Sequence, residues 1–126
     1  MSSPDDRRYL ETHEWHKPDD GVVTIGITQF AVDELTDVTY VEFVAEAGST
    51  VEPGQTIAEV ESVKATSEIY TGVAGEIVAV NDAVVDDPSL INQDCFGRGW
   101  LIKVRPGDAS AVDALLDAAA YDATTG

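Results

Sequence analysis

The sequence predicts a mostly β fold: a small barrel or sandwich of antiparallel strands with one short internal helix and one C-terminal helix. Most apolar residues alternate with polar ones at period two, as they do on half-buried strands. Glycines and prolines interrupt this alternation at short intervals, and only two segments have helical spacing. With 126 residues, 44% of them hydrophobic, the chain can bury a core of its own. We therefore expect one domain over residues 1–126.

The strands and the first helix follow from local patterns. After the Asp19-Asp20-Gly21 turn, Val23, Ile25 and Ile27 alternate with small or polar residues. Residues 28–35 begin with the capping residue Thr28 and have helical spacing, which predicts the internal helix. Further strands are predicted over 38–44, 57–63, 67–71, 76–80 and 99–104, with turns or breaks at 52–54 and 86–88.

The C-terminal segment predicts a single amphipathic helix over residues 109–121. Asp108 is a suitable capping residue at its start. Its apolar residues fall at positions i, i+3, i+4 and i+7, which places them on one helical face: Val112, Leu115, Leu116 and Ala119.

The charge balance restricts the possible partners. Aspartate and glutamate number 24 against 7 lysines and arginines, for a net charge of −17. This charge would repel phosphates, so we expect no binding to nucleic acid or to an anionic membrane. The acids are spread along the chain, as in proteins of salt-loving cells, and we expect a halophilic archaeal source. No apolar run is long enough to span a membrane, and the N-terminus resembles neither a secretory nor a mitochondrial signal, so we expect a cytoplasmic protein.

The cysteine and the two histidines offer no clear catalytic or metal site. A single cysteine excludes an internal disulfide and a multi-cysteine metal cluster. Cys95 as a nucleophile, with His13 or His16 as its base, is less favoured than a small, semi-buried apolar residue. The two histidines have the spacing of zinc ligands on a helical turn, but Pro18 disfavours a helix and no third ligand is near. We therefore expect no metal.

One of only three lysines, Lys64, lies in the middle of the strand-like stretch EVESVKATSEIY. Gly54 precedes it by ten residues and Gly75 follows it by eleven, and the flanking segments VEPGQTIAEV and GVAGEIVAV are alike in kind. Two similar strand–turn units would place the lysine at the tip of the hairpin that joins them. At a hairpin tip, an enzyme can modify a side chain without unfolding the domain.

Four motifs together resemble the H protein of the glycine cleavage system: THEW, IGIT, ESVKA and GWLIKV, in this order. The resemblance covers residues from about Tyr9 to Tyr121, which would be the core of a single lipoyl-carrier domain. It implies the barrel-sandwich hybrid fold of lipoyl and biotinyl carriers, also called a hammerhead. The segment QDCFGRGW departs from the family pattern, so we assign no role to Cys95 or Phe96.

The resemblance implies that Lys64 carries lipoic acid in amide linkage. The protein would then be a carrier and not itself an enzyme. Its partners would be the pyridoxal-phosphate glycine decarboxylase (P protein), the tetrahydrofolate-dependent aminomethyltransferase (T protein), dihydrolipoyl dehydrogenase (L protein) and a lipoate-attaching enzyme. Glu61 and Gly75 match positions associated with recognition by that last enzyme. Gly75 also fits a turn residue that needs a positive φ.

The resemblance also implies a cleft that shelters the loaded arm. Thr12, Glu14 and Glu68 match its positions, and a carboxylate would favour the ammonium of the aminomethyl adduct. The alternative for Glu14 and Glu68 is that they are solvated acids on an acidic surface. Trp15 is expected to pack in the core.

Other functions are less consistent with the sequence. A biotin carrier would show methionines where Val63 and Ala65 stand. A lipoyl domain of a 2-oxoacid dehydrogenase commonly has Asp-Lys-Ala, is shorter and is followed by a linker. A hydrolase using Asp/Glu pairs or Cys95 lacks a nucleophile motif such as Gly-x-Ser-x-Gly. An H-like protein that relays lipoate to other carriers stays open, since the same lysine and fold would serve it.

Overall fold

In the computed structural model, which describes residues 4–125, nine strands form two antiparallel sheets. Residues 1–3 and 126 of the expected domain lie outside the described residues. The strands are β1 (Arg8–Tyr9), β2 (Glu14–Asp19), β3 (Val22–Ile27), β4 (Val38–Phe43), β5 (Thr50–Val51), β6 (Thr56–Ser62), β7 (Thr66–Tyr70), β8 (Gly75–Val80) and β9 (Ile102–Pro106). The helices are α1 (Gln29–Leu35), α2 (Asp82–Asp86), α3 (Ser89–Gln93) and α4 (Ala118–Thr125), with a 3₁₀ helix at Ala109–Ala114.

The two sheets enclose the core. The larger has the order β1-β2-β3-β9-β8-β5 and the smaller the order β4-β6-β7. Alternate residues of both sheets point into one buried apolar cluster, for example Ile25 on β3, Val60 on β6 and Ile77 on β8. This confirms the mostly β sandwich or barrel with short helices. Within residues 4–125, no helix is both long and apolar enough to cross a bilayer.

The two strand–turn units about Lys64 pair with each other as the sequence suggested. β6 and β7 form a hairpin in the smaller sheet, with Glu61 opposite Thr66. β5 and β8, the outer strands of the same two units, pair in the larger sheet. Each unit therefore contributes one strand to each sheet, and the lysine lies in the turn between them.

The internal helix is confirmed, and its cap is the expected one. The Thr28 side chain accepts a hydrogen bond from the backbone N–H of Ala31, while Val32 and Leu35 are buried. Strands β1, β2 and β5 and helices α2 and α3 were not predicted. Helices of five residues are too short for a 3.6-residue period to be visible, and the cap of α2, Asn81, owes part of its stability to distant carbonyls.

The single helix predicted over residues 109–121 is wrong. Asp108 does cap, but it caps the 3₁₀ helix, by accepting a bond from the Ser110 N–H. The chain then becomes extended, and Leu116 exchanges two backbone hydrogen bonds of 2.8 and 2.9 Å with Tyr9. α4 begins only afterwards, and its Tyr121 stacks on Tyr9 at a ring-centroid distance of 4.7 Å. Pairing with the edge strand β1 therefore outweighs the local helical preference.

Candidate functional site

Lys64 lies in the exposed turn between β6 and β7. Ser62 holds this turn, because its backbone N–H donates to the Ala65 carbonyl at 2.8 Å and its Oγ accepts the N–H groups of Lys64 and Ala65. The preceding residue, Val63, is 71% exposed. A group attached to the Lys64 amine would therefore extend into solvent without disturbing the core.

A polar cleft begins two residues beyond the lysine. It is lined by the segment between β1 and β2 on one side and by β7 on the other: Glu11, Thr12, His13, Thr66, Ser67, Glu68 and Tyr70. Glu68 is four residues from Lys64, which corresponds to about 13 Å along an extended strand. The Tyr70 hydroxyl donates to the Glu68 carboxylate at 2.9 Å. The fold thus brings Thr12 and Glu68, which are distant in sequence, to one cleft beside the hairpin.

Glu14 lies beneath this cleft and is completely buried. Thr12 Oγ1 donates to its Oε1 at 2.5 Å, and the Tyr70 N–H donates to its Oε2 at 2.7 Å. Burial raises the pKa of Glu14 to about 7, and these two hydrogen bonds oppose that rise. Both oxygens keep a spare lone pair, but the side chain is completely buried, so a group in the cleft could reach Glu14 only if the residues that cover it moved.

A second, mainly apolar cleft of about 310 Å³ lies beyond Tyr70 and shares Thr12 and Tyr70 with the first. Its lining is Leu10, Thr12, Pro53, Gly54, Tyr70, Thr71 and Gly72. The buried His16 accepts a hydrogen bond from the Gly72 N–H at Nε2, at 2.9 Å. Burial lowers the pKa of His16 to about 4, so the ring is neutral at pH 7. Sequence reasoning missed this contact; the only available signal was the two-residue spacing from Glu14 on one strand.

The two residues that were matched to recognition by the lipoate-attaching enzyme lie on different sheets. Glu61 is exposed on β6, close to the hairpin tip. Gly75 is the first residue of β8, and the positive φ expected for it is wrong, since its φ lies outside that region. A Cβ at Gly75 would clash with the backbone carbonyl of Arg105. Glycine is required here by the close approach of β9.

Trp15 and Cys95 are core residues. The Trp15 ring packs directly over Gly26, where an added Cβ would lie 2.5 Å from the indole, and its Nε1 donates to the Cys95 carbonyl at 2.9 Å. This confirms Trp15 as a packing residue. Cys95 is 3% exposed, and burial raises the pKa of its thiol to about 11. These surroundings contradict a nucleophilic role and agree with the favoured interpretation of a small apolar residue.

The two histidines serve separate contacts. His13 has a φ of 81° and is 2.7 Å from the Tyr121 hydroxyl through Nδ1, whereas His16 is bonded to Gly72. Neither lies on a helix. Among residues 4–125, no group of three His, Cys, Asp or Glu side chains is placed to hold a metal ion.

Comparisons with known proteins agree with this geometry. The family model described as "Glycine cleavage H-protein" matches residues 7–126. A glycine cleavage system H protein of Thermus thermophilus is 50% identical over 121 residues, which cover 96% of this chain and 94% of that protein. The probable glycine cleavage system H protein of Natronomonas pharaonis is 49% identical over 120 residues, which cover 95% of this chain and 94% of that protein.

A solved structure is similar over the same length. The crystal structure of a glycine cleavage system H protein from Mycobacterium marinum matches with a TM-score of 0.89 and 42% sequence identity, covering 98% of this chain and 99% of that one. The similarity includes both sheets and the hairpin that presents Lys64. The chain therefore belongs to the glycine cleavage H-protein family.

Proposed function

We propose that Lys64 carries lipoic acid as an amide and that the protein is the lipoyl-bearing carrier of glycine cleavage, a single domain over residues 1–126. It takes the aminomethyl group of glycine from the P protein, delivers it to the T protein and presents the resulting dithiol to the L protein. Lipoic acid supplies the redox-active disulfide that no protein side chain offers. The carrier acts as a substrate of these enzymes and of the lipoate-attaching enzyme. The observation that carries the proposal is the exposed lysine at the hairpin tip of a chain belonging to this family.

The surroundings of the three lysines support Lys64 as the one that is lipoylated. Lys17 Nζ lies 3.7 Å from the Asp6 carboxylate, and Lys103 Nζ lies 4.8 Å from the centre of the Trp100 ring. Among the described residues, no ion pair and no cation–π contact includes Lys64. A lipoate-attaching enzyme would therefore have no ion pair or cation–π contact of the Lys64 amine with the described residues to break before acylating it.

The polar cleft is suited to a loaded arm. Lysine plus a lipoyl chain reaches on the order of 14 Å, whereas the four residues from Lys64 to Glu68 span at most about 13 Å even when fully extended. In the cleft, Thr12 offers a hydroxyl and Glu68 a carboxylate, and the Thr12 hydroxyl is bonded in turn to the carboxyl group of the buried Glu14. A carboxylate favours the ammonium of the adduct, and partial exclusion of water slows its hydrolysis. We propose these three residues as the arm cleft, and Glu61 and Gly75 as determinants of lipoylation.

The test compares wild type with Lys64→Arg, using Lys17→Arg and Lys103→Arg as matched controls. After incubation with a lipoate-attaching enzyme, intact mass should rise by about 188 Da in wild type and both controls, but not in Lys64→Arg. Glycine decarboxylation coupled to the carrier should be lost only in Lys64→Arg. Because Lys64 is exposed, the unfolding free energy should change by less than about 0.5 kcal/mol. Modification of Lys64→Arg, or decarboxylation at the wild-type rate, would end the proposal.

We also propose a cytoplasmic protein of a halophilic archaeon. Beyond the net charge of −17, the outward face of the smaller sheet carries three glutamates directly opposite one another on adjacent strands. They are Glu42, Glu59 and Glu68. Like charges in directly opposed positions destabilise a sheet, and none of the ion pairs within residues 4–125 includes them. Molar salt shortens the Debye length to a few ångströms and removes most of this repulsion.

A further inference from the structure

The end of β7 is held on its outer side by side chains instead of a strand. β7 is an edge of the smaller sheet. On its inner side, Thr71 exchanges backbone hydrogen bonds with residues 54 and 55. On its outer side, the N–H groups of Tyr70 and Gly72 donate to Glu14 Oε2 at 2.7 Å and to His16 Nε2 at 2.9 Å.

The spacing of the four residues makes these two bonds a ladder. Glu14 and His16 are two residues apart on β2, so their side chains point to the same face. Tyr70 and Gly72 are also two apart, so their N–H groups point in the same direction. Both distances are in the normal range of hydrogen bonds. Two side-chain acceptors thus replace the carbonyls that a neighbouring strand would offer.

The ring of His16 and the backbone of Gly72 are fitted to each other. A Cβ at position 72 would lie 3.2 Å from His16 Nε2, 3.0 Å from Leu10 Cδ2 and 3.1 Å from Leu115 Cδ2. Because Nε2 accepts a bond, the ring proton must be on Nδ1. Nδ1 is buried and makes no hydrogen bond of normal geometry among the described residues, although the nearby Glu14 backbone opposes part of the fall in the pKa of the ring. An apolar residue would avoid that unpaired donor but would leave the Gly72 N–H without its acceptor.

We propose that His16 is a positioning residue of the carrier: with Glu14, it fixes the end of β7 to the larger sheet and so sets the shape of the two clefts. Tyr70 lines both clefts, and Gly72 lies on the floor of the apolar one. Tyr70 also orients Glu68 through its hydroxyl. His16 itself is completely buried and lines neither cleft. The consequence for the loaded arm rests on the proposed carrier function, whereas the ladder itself does not.

The test uses unlipoylated protein and two variants of different chemistry. His16→Gln places an amide oxygen close to the position of Nε2 and keeps an acceptor, whereas His16→Leu fills the space without one. Amide hydrogen exchange measured by NMR should be at least about tenfold faster for Gly72 in His16→Leu, and near wild type in His16→Gln. The Thr71 N–H, bonded to the Gln55 carbonyl, is the internal control and should change little.

Side-chain ¹⁵N shifts of wild type at pH 7 test the ladder without any variant. They should show a protonated Nδ1 and an unprotonated Nε2 on His16. A protonated Nε2 would overturn the proposal, and so would equal Gly72 exchange in all three proteins. Equal acceleration in both variants would show that the ring only fills space, which also overturns it.

The functional readout is formaldehyde release from methylamine-loaded carrier without the T protein. Release should be at least about twofold faster from His16→Leu than from wild type or His16→Gln. Equal release from all three would confine His16 to stability and overturn its positioning role. A failure to lipoylate Lys64 would instead refute the proposed function and leave the exchange and ¹⁵N results as the test of the ladder.

Discussion

Glu14 and His16 should contribute to stability with opposite dependence on pH. Both are buried, and burial favours the neutral form of each. Glu14 is neutral when its proton is bound, whereas His16 is neutral when its proton is removed. The stability that each contributes therefore changes in opposite directions over the same pH range. Replacing either residue by glutamine and subtracting the wild-type curve should reveal the pH dependence that the replaced residue contributed.

The sign for His16 follows from its lowered pKa. Between the unfolded value of 6.5 and the folded value of about 4, the unfolded state binds a proton that the folded state does not. The stability that depends on neutral His16 is therefore complete above pH 6.5 and is lost as the pH falls towards 4. At 1.36 kcal/mol for each pH unit of difference, the loss is roughly 3 kcal/mol.

The sign for Glu14 is the reverse. Its pKa rises from 4.5 to about 7, so in this range the folded state binds a proton that the unfolded state has released. The stability that depends on protonated Glu14 is complete below pH 4.5 and is lost as the pH rises to 7, again by roughly 3 kcal/mol. Between pH 4.5 and 6.5 the two contributions nearly cancel in wild type.

The assay is urea unfolding at fixed ionic strength between pH 4.5 and 7.5, followed by tryptophan fluorescence. Subtracting the wild-type curve removes the effect of the other acids. The unfolding free energy of Glu14→Gln relative to wild type should rise by about 3 kcal/mol as the pH increases from 4.5 to 7. That of His16→Gln should instead rise by about 2–3 kcal/mol as the pH decreases from 6.5 to 4.5. Two flat difference curves, or two of the same sign, would refute the reasoning.

Three further outcomes are expected. In urea titrations, Gly75→Ala should lower the unfolding free energy by about 3 kcal/mol, because the added Cβ would clash with the Arg105 carbonyl. Gly107→Ala is the control: no atom lies within 4 Å of a Cβ at that position, so the unfolding free energy should change by less than about 0.5 kcal/mol. Equal effects would show that β9 can move away. At pH 7.5, iodoacetamide should modify Cys95 at least about a hundredfold more slowly in the folded protein than in the urea-unfolded protein, because the thiol is buried and its pKa is raised. Mass spectrometry measures both rates, and comparable rates would contradict this. Glu59→Gln should raise the unfolding free energy by about 0.2–1 kcal/mol in 0.1 M salt, because it removes repulsion from Glu42 and Glu68. The gain should be smaller in 2 M salt, which screens that repulsion. An equal gain at both salt concentrations would contradict repulsion as the cause.

Features that depend only on neighbouring residues could be predicted from the sequence. The period-two alternation predicted most strands of the two sheets, and Thr28 with the helical spacing after it predicted α1. The similar segments on either side of Lys64 predicted the hairpin, because two antiparallel strands joined by a short turn need only local hydrogen bonds such as those of Ser62. The four motifs THEW, IGIT, ESVKA and GWLIKV, taken together and in this order, were enough to indicate the family.

Features that depend on contacts between distant parts of the chain could not be predicted and appear only in the folded protein. The bonds from Tyr70 and Gly72 to Glu14 and His16 each join residues 56 positions apart, and no local pattern encodes them. The need for glycine at position 75 comes from a backbone carbonyl on β9. Pairing of residue 116 with the edge strand β1 likewise overrides the helical spacing of residues 109–121. Close packing and the pairing of buried polar groups are set between elements, so they exist only once the sheets have come together.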